Sequence, residues 1–284
     1  MTTDRATPAT RLPSQQPRAL IVTVYGLYAR ETAGWLAVAT LVRLLDGVGV
    51  EEPAVRSAIS RLKRRGVLAA RTRAGVAGYE LSPAGRAILA EGDQRIFQRV
   101  RATVGEGWLL AVFSVPESER RRRHQLRARL TWLGFGTVSA GVWVAPAHLS
   151  AETTEVLERH ELTEYVDLFR ADHLAFGDLR AEVSQWWQLD GLAAMYEDFT
   201  AAFAPVLRRW QRRRTTDDGA AFADYVTALT AWRRLPFLDP GLPLDVLPSK
   251  WPGARAGHLF EGLTAALAPA AHRHLAAVSS GDVP

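Results

Sequence analysis

The sequence predicts an α+β protein built of three successive modules, and three observations carry that prediction. Helical periods closed by a glycine-bearing hairpin occupy the N-terminal part, a strand–helix–strand texture begins at Trp108, and beyond Leu179 only helical periods remain.

The opening "MTTDRATPATRLPSQQP", residues 1–17, is polar and proline-containing and reads as a disordered arm without the apolar centre of a signal peptide. "RALIVTVYGLYARE", residues 18–31, is dense enough in aliphatic and aromatic residues to be a buried first helix. "GWLAVATLVRLLDGVGV" predicts a second, with Leu36, Val38, Leu41, Leu44 and Leu45 near helical spacing and a stop at Gly47 and Gly49. "VEEPAVRSAISRLKRRG" predicts a third. Glu51 and Glu52 suit a helix N-terminus, Pro53 the first turn and Gly66 the C-cap. Two short strands at 67–73 and 78–81 then form a hairpin with basic residues entering its loop. Ser82 and Pro83 open a connector helix that runs to about residue 100. Three helices and a hairpin make a winged helix-turn-helix pattern over residues 18–104.

Residues 105–177 change texture. "WLLAVFSVP" is a strand, "ESERRRRHQLRARLTWLGF" a helix and "GTVSAGVWVAP" a strand; a further helix and a strand at 165–170 follow. This order predicts a ferredoxin-like β-α-β-β-α-β module with some strands short or unrecognised. Residues 178–284 form a helical C-terminal domain, interrupted by "RRRTTDDG" and by "LPFLDPGLPLDVLPSKWPG". So many prolines exclude a helix there, which leaves an ordered extended connection held by neighbouring tryptophans and leucines.

At 284 residues, 48% hydrophobic and 23% charged, the chain has the composition of a soluble globular protein. It contains no cysteine, so disulfides, thiolate zinc sites and cysteine nucleophiles are excluded. No run of apolar residues is long enough for a membrane span, and a cytoplasmic location is expected. Net charge is +5, but 33 of the 35 basic residues are arginine, which reads as coding bias and discounts any argument from arginine number alone. Distribution is more informative. Residues 53–79 hold seven bases, Arg56, Arg61, Lys63, Arg64, Arg65, Arg71 and Arg73, and no acid.

On a helical wheel, Ala58, Ile59 and Leu62 fall near Val55, while Ser57, Ser60, Arg61 and Arg64 fall opposite. A free face of small hydroxyls and arginines suits the major groove of DNA, because small residues let the helix sink in and arginine pairs with guanine. Arg56, Ser57, Ser60, Arg61 and Arg64 are therefore candidate DNA contacts, with Arg71 and Arg73 of the hairpin reaching phosphate or an adjacent minor groove. "ERRRRHQLRAR" points its bases all round a helix and reads as the solvent side of an element whose Leu126, Leu130 and Leu133 turn inward, with dimer or DNA contact left open. "LRRWQRRR", residues 207–214, reads as a solvated helix ahead of the alternative that it neutralises phosphates of a nucleotide-like effector.

Trp186, Trp187, Trp210, Trp232 and Trp251 crowd the C-terminal part. Such density builds cores; with Arg233 and Arg234 beside Trp232 and Trp251 it also offers an effector pocket for an aromatic or acyl ligand carrying negative charge. The closest histidines, His272 and His274, are two apart on a helix and point away from each other, which predicts no metal site. No nucleophile elbow, phosphate loop, dinucleotide fingerprint or zinc-protease motif occurs, so neither an enzyme nor a bound cofactor is expected. The strand at 108–116 ends "VFSVPE" without an aspartate, which argues against a metal-dependent nuclease on the ferredoxin-like module. A nucleic-acid-processing enzyme and a winged-helix module that binds protein stay open beside a DNA-binding regulator.

Several of these segments in this order, "ALIVTVYG", "VEEPAVRSAISRLKRRGVLAAR" with "GYELSPAGR", "RARLTWLGFGTVSAGVWVAP" and "WRRLPFLDPGLPLDVLPSKWPG", resemble the PaaX family of transcriptional repressors, named for control of phenylacetate degradation. The resemblance runs from Arg18 to about Leu275. It implies a homodimeric, ligand-responsive repressor of a catabolic operon that binds double-stranded operator DNA. It further implies a central module similar to the small ferredoxin-like subunit of CRISPR spacer acquisition. In the namesake members phenylacetyl-CoA relieves repression, so an aryl- or acyl-CoA thioester is the effector to expect. DNA contact carries over to Arg56, Ser57, Ser60, Arg61 and Arg64; no motif carries over for the effector.

Overall fold

A computed structural model describes residues 16–29, 34–97, 101–103, 105–174 and 176–280. The arm expected at 1–17 lies almost wholly outside these residues, as do the last residues expected of the first helix and of the connector helix. The described chain forms two compact units, each assembled from separated stretches: residues 16–92 with 202–232 and 259–280, and residues 93–201 with 233–258.

In the first unit α1 (Pro17–Val24) begins with a proline, whose missing N–H is one the helix cannot use, and continues as a π-helical turn, Tyr25–Ala29. β1 (Trp35–Ala37), α2 (Val38–Asp46) and α3 (Glu52–Arg64) follow, then β2 (Leu68–Arg73) and β3 (Val76–Leu81). The strands make an antiparallel sheet in the order β1-β3-β2. Residues 35–37, expected in the second helix, are instead an edge strand paired with residues 78–80. All three of its side chains are buried, so it lacks the alternation that marks a half-exposed strand and is indistinguishable by period from a helix.

Helices from the far end of the sequence complete this unit. α9 (Asp218–Trp232) meets α1, where Thr230 Oγ1 lies 2.7 Å from Thr23 Oγ1 in a buried hydrogen bond. Tyr28 stacks on Phe222 at 5.8 Å and takes the ring of His272 edge-on at 4.7 Å. Trp232 stacks on Phe260 of α11 (Gly253–Ser279) at 4.8 Å and 12°. The N-terminal helices thus bury their apolar faces on partners about two hundred residues away.

α4 (Pro83–Phe97) is capped by Ser82, whose Oγ accepts from the Gly85 N–H at 2.9 Å. In the second unit β4 (Trp108–Phe113), α5 (Arg120–Leu133), β5 (Gly136–Ser139), β6 (Val142–Pro146), α6 (Ser150–Arg159) and β7 (Val166–Ala171) form an antiparallel sheet ordered β5-β6-β4-β7. That is the ferredoxin-like order for β-α-β-β-α-β connectivity. The single strand expected at "GTVSAGVWVAP" is two, turning at Ala140 and Gly141. The turn is tight: a Cβ on residue 141 would stand 2.8 Å from the Phe113 carbonyl oxygen.

Leu126, Leu130 and Leu133 of α5 are fully buried on this sheet, with Val156 and Leu157 of α6 beside them. α7 (Leu179–Trp187) covers part of the other face, its Trp187 donating through Nε1 to the Gly134 carbonyl at 2.7 Å. α8 (Leu189–Arg212) precedes α9; the proline-rich segment expected to be extended throughout instead opens with one helical turn, α10 (Leu235–Leu238), because Pro236 falls in the first turn, where its missing N–H costs nothing. The buried Asp239 carboxylate orders that connection, accepting from Tyr196 Oη at 2.8 Å, the Gly241 N–H at 2.9 Å and Arg101 at 3.2 Å.

Candidate nucleic-acid interface

α3 is built to present one face. Val55, Ala58, Ile59 and Leu62 are buried, while Arg56, Ser57, Ser60, Arg61, Lys63 and Arg64 are exposed. Its end is sharply defined. Gly66, at φ +70°, takes the left-handed conformation after Arg65, its N–H donates to Lys63 O at 2.9 Å and the Val67 N–H to Leu62 O at 3.0 Å. Gly66 therefore stands one residue past the C-cap rather than on it. The Ser82 hydroxyl donates back to the Gly66 carbonyl, joining the end of α3 to the start of α4.

The hairpin beyond α3 turns on two residues, Ala74 at φ +46° and Gly75 at φ +82°, whose handedness matches the twist of the flanking strands. Trp35 holds the hairpin from below. Its Nε1 donates to Arg71 O at 2.9 Å, and its ring occupies the space left by the missing side chain of Gly78. Tyr25 donates to Tyr79 O at 2.9 Å, and burial raises the pKa of its hydroxyl well above the usual range.

The seven candidate DNA contacts are not equivalent. Ser57, Ser60, Arg61 and Arg64 share the exposed side of α3. Arg56 is exposed too, but its guanidinium lies 2.6 Å from Glu52 one turn back. A pair so solvated contributes a few tenths of a kcal/mol, about what an exposed i,i+4 pair is worth, so phosphate can compete for Arg56. Arg71 is exposed on β2. Arg73 is half-exposed and lies over the Trp35 ring, 5.4 Å from its centroid, with Glu80 at 3.5 Å. Lys63 and Arg65 are as exposed as the candidate residues.

Other basic runs are engaged differently. In α5 Arg123 pairs with Glu117 at 2.8 Å, Arg122 with Glu161 at 3.6 Å, and Arg127 covers the Trp143 ring. In α8 Arg209 pairs with Asp224, and Arg213 lies over Trp210. Of the four effector candidates, Trp232 belongs to the first unit and is committed to Phe260, while Arg233, Arg234 and Trp251 belong to the second. Trp251 packs edge-on against Tyr196 at 5.9 Å. Arg234 is exposed; Arg233 is partly buried, and that burial, with Arg234 beside it, lowers its pKa. Among the described residues no group of three or more His, Asp or Glu could hold a metal ion, and no helix is long and apolar enough to cross a membrane.

Residues 16–85 match the family model described as PaaX-like protein, 101–183 that of the PaaX protein central Cas2-like domain, and 187–277 that of the PaaX-like protein C-terminal domain. The chain belongs to the PaaX family. The PaaX central-domain match falls on the four strands in ferredoxin-like order. A curated relative, the Transcriptional repressor PaaX of Escherichia coli (strain K12), is 28% identical over 258 residues, which is 89% of this chain and 80% of that one. A solved structure of an uncharacterised protein from Mycobacterium tuberculosis matches with a TM-score of 0.60 over 93% of this chain and 99% of that one at 23% identity, a likeness of fold.

Proposed function

We propose that this PaaX-family chain is a DNA-binding transcriptional repressor rather than an enzyme, acting in the cytoplasm. α1 to α3 with β1 to β3 are read as a winged helix-turn-helix in which α3 enters the major groove and the β2–β3 hairpin is the wing. The observation that carries this is the split of α3 into a buried side, Val55, Ala58, Ile59 and Leu62, and an exposed side of hydroxyls and arginines. Membership of a family that includes a curated repressor supports the same reading. Ser57, Ser60, Arg61 and Arg64 read bases and neighbouring phosphates, Arg56 meets phosphate after leaving Glu52, and Arg71 and Arg73 add backbone contacts from the wing.

Two copies bind one roughly palindromic operator as a homodimer, one α3 per half-site. An aryl- or acyl-CoA thioester relieves repression of a catabolic operon. Of the effector candidates, Arg234 and Arg233 are the side chains able to meet its phosphates.

Gel-shift titration on the DNA upstream of the chain's own gene, with and without phenylacetyl-CoA, tests the proposal. A salt-sensitive shift lost in Arg61→Ala with the fold intact supports it; no shift on any neighbouring intergenic DNA at low salt overturns it.

A further inference from the structure

The second unit holds a half-open cavity of about 480 Å³, within the usual range for small-molecule sites, at residues given no part in DNA or effector binding above. We propose that it binds a small organic acid, the carboxylate between Arg101 and His148 and the apolar body against Leu133, Leu149, Pro236 and Pro240. This goes beyond DNA binding and does not depend on it.

The polar wall is almost fully paired, and what remains unpaired defines the ligand. Arg95 is nearly saturated, using four of its five N–H donors: it donates to Glu152 Oε1 at 3.1 and 2.9 Å and to the Trp132 and Leu133 carbonyls, with its guanidinium 4.7 Å over the Trp132 ring. Glu155 is held by Arg159 at 2.6 Å. Asp239 is held by Tyr196, Gly241 and Arg101. Arg101 is different. It donates from Nη1 to Leu242 O and from Nη2 to Asp239, which leaves its Nε–H and one N–H on each Nη without an acceptor among the described residues.

His148 lies across the same cavity on the turn that leads into α6. Its buried Nδ1 has no hydrogen-bond partner and stands 4.0 Å from Glu106 Oε2, and its Nε2 carries no hydrogen bond among the described residues. Burial lowers its pKa, against the pull of Glu106 and Glu152 and with the push of Arg95, which favours the neutral ring when the cavity is empty. With Arg159 counted against Glu155 and Arg170 against Glu106, the charged groups around the cavity balance. A carboxylate entering alone would be one uncompensated buried charge. A carboxylate entering with a proton on His148 restores the balance, with Glu106 facing Nδ1 and the ligand facing Nε2 and the spare Arg101 donors. Binding therefore takes up a proton.

Calorimetric titration of the full chain without DNA, using 3-phenylpropanoate and octanoate beside their primary amides, tests this. The acids are expected to bind at least tenfold tighter than the amides and to weaken by up to tenfold per pH unit between about pH 6 and 8, the linkage limit for one proton. His148→Gln is expected to flatten that pH dependence. Ala151→Trp, on the exposed first turn of α6 at the cavity wall, is expected to abolish binding without lowering the melting temperature. Equal binding of acid and amide, an unchanged pH slope in His148→Gln, parental affinity in Ala151→Trp, or no saturation by either acid at millimolar concentration overturns the proposal. A gel shift that survives alongside such a failure leaves the DNA-binding reading standing.

Discussion

Trp35 lies directly over Gly78: a Cβ at residue 78 would fall 2.4 Å from the indole, whose Nε1 reaches Arg71 O on the next strand. One tryptophan thereby fixes the register of all three strands of the first unit. Gly78→Ala forces the ring or the strand to move, and overpacking of this kind costs about 1–3 kcal/mol. Thermal unfolding should show that loss, whereas Gly75→Asn at the turn, where nothing lies within 4 Å, should be nearly neutral.

Arg61 and Arg64 stand exposed on α3 with no resolved role in stability. Each is expected to give, as an alanine variant, an unchanged melting temperature and weaker operator binding. Loss of a phosphate contact reduces the slope of log K against log salt by about 0.9, whereas loss of a base contact costs about 1–3 kcal/mol on the specific site alone. Binding isotherms at several salt concentrations on operator and random DNA separate the two.

The buried Thr23–Thr230 hydrogen bond joins α1 to α9. Thr230→Val should destabilise by about 1 kcal/mol, because it leaves the Thr23 hydroxyl to its weaker local bond with Ala19 O. The double variant with Thr23→Val should lose less than the sum of the two single losses in denaturant unfolding.

A fragment ending at residue 97 keeps all the candidate DNA contacts but exposes Tyr28 and the face of α1 that α9 covers. It is expected to unfold without a cooperative transition, and calorimetry checks this.

His148 supplies a pH prediction with a definite sign. Its folded pKa lies below the unpaired value of 6.5, so below that pH the unfolded chain binds more protons than the folded one. Stability therefore falls as pH drops from 6.5 towards the folded pKa and then levels off. In His148→Gln that part of the slope should be missing from unfolding free energies measured across the window.

Periodicity was enough to identify α3, its buried residues and its exposed ones, because an amphipathic helix writes its two environments directly into the order of its side chains. The Schellman end at Gly66 and the cap at Ser82 were legible for a similar reason: both depend on residues within one turn. β1 was not legible. Trp35, Leu36 and Ala37 are all buried, and only their pairing with residues 78–80 makes them a strand. The placing of Arg73 over a ring also depends on a distant residue, Trp35, and no local pattern announces it.

The sequence by itself determined most of the order of elements, β1, the β5–β6 turn and α10 excepted, together with the basic acid-free stretch and the face α3 presents, since these follow from propensity, period and charge along one segment. Only the tertiary structure decided that α9 and the later part of α11 share a core with α1 and that Trp232 and Trp251 are spent on packing. It alone also decided that Arg101 and His148 line one cavity. Burial of apolar surface is non-directional in sequence, so which distant faces close on each other depends on shape complementarity that no single segment contains.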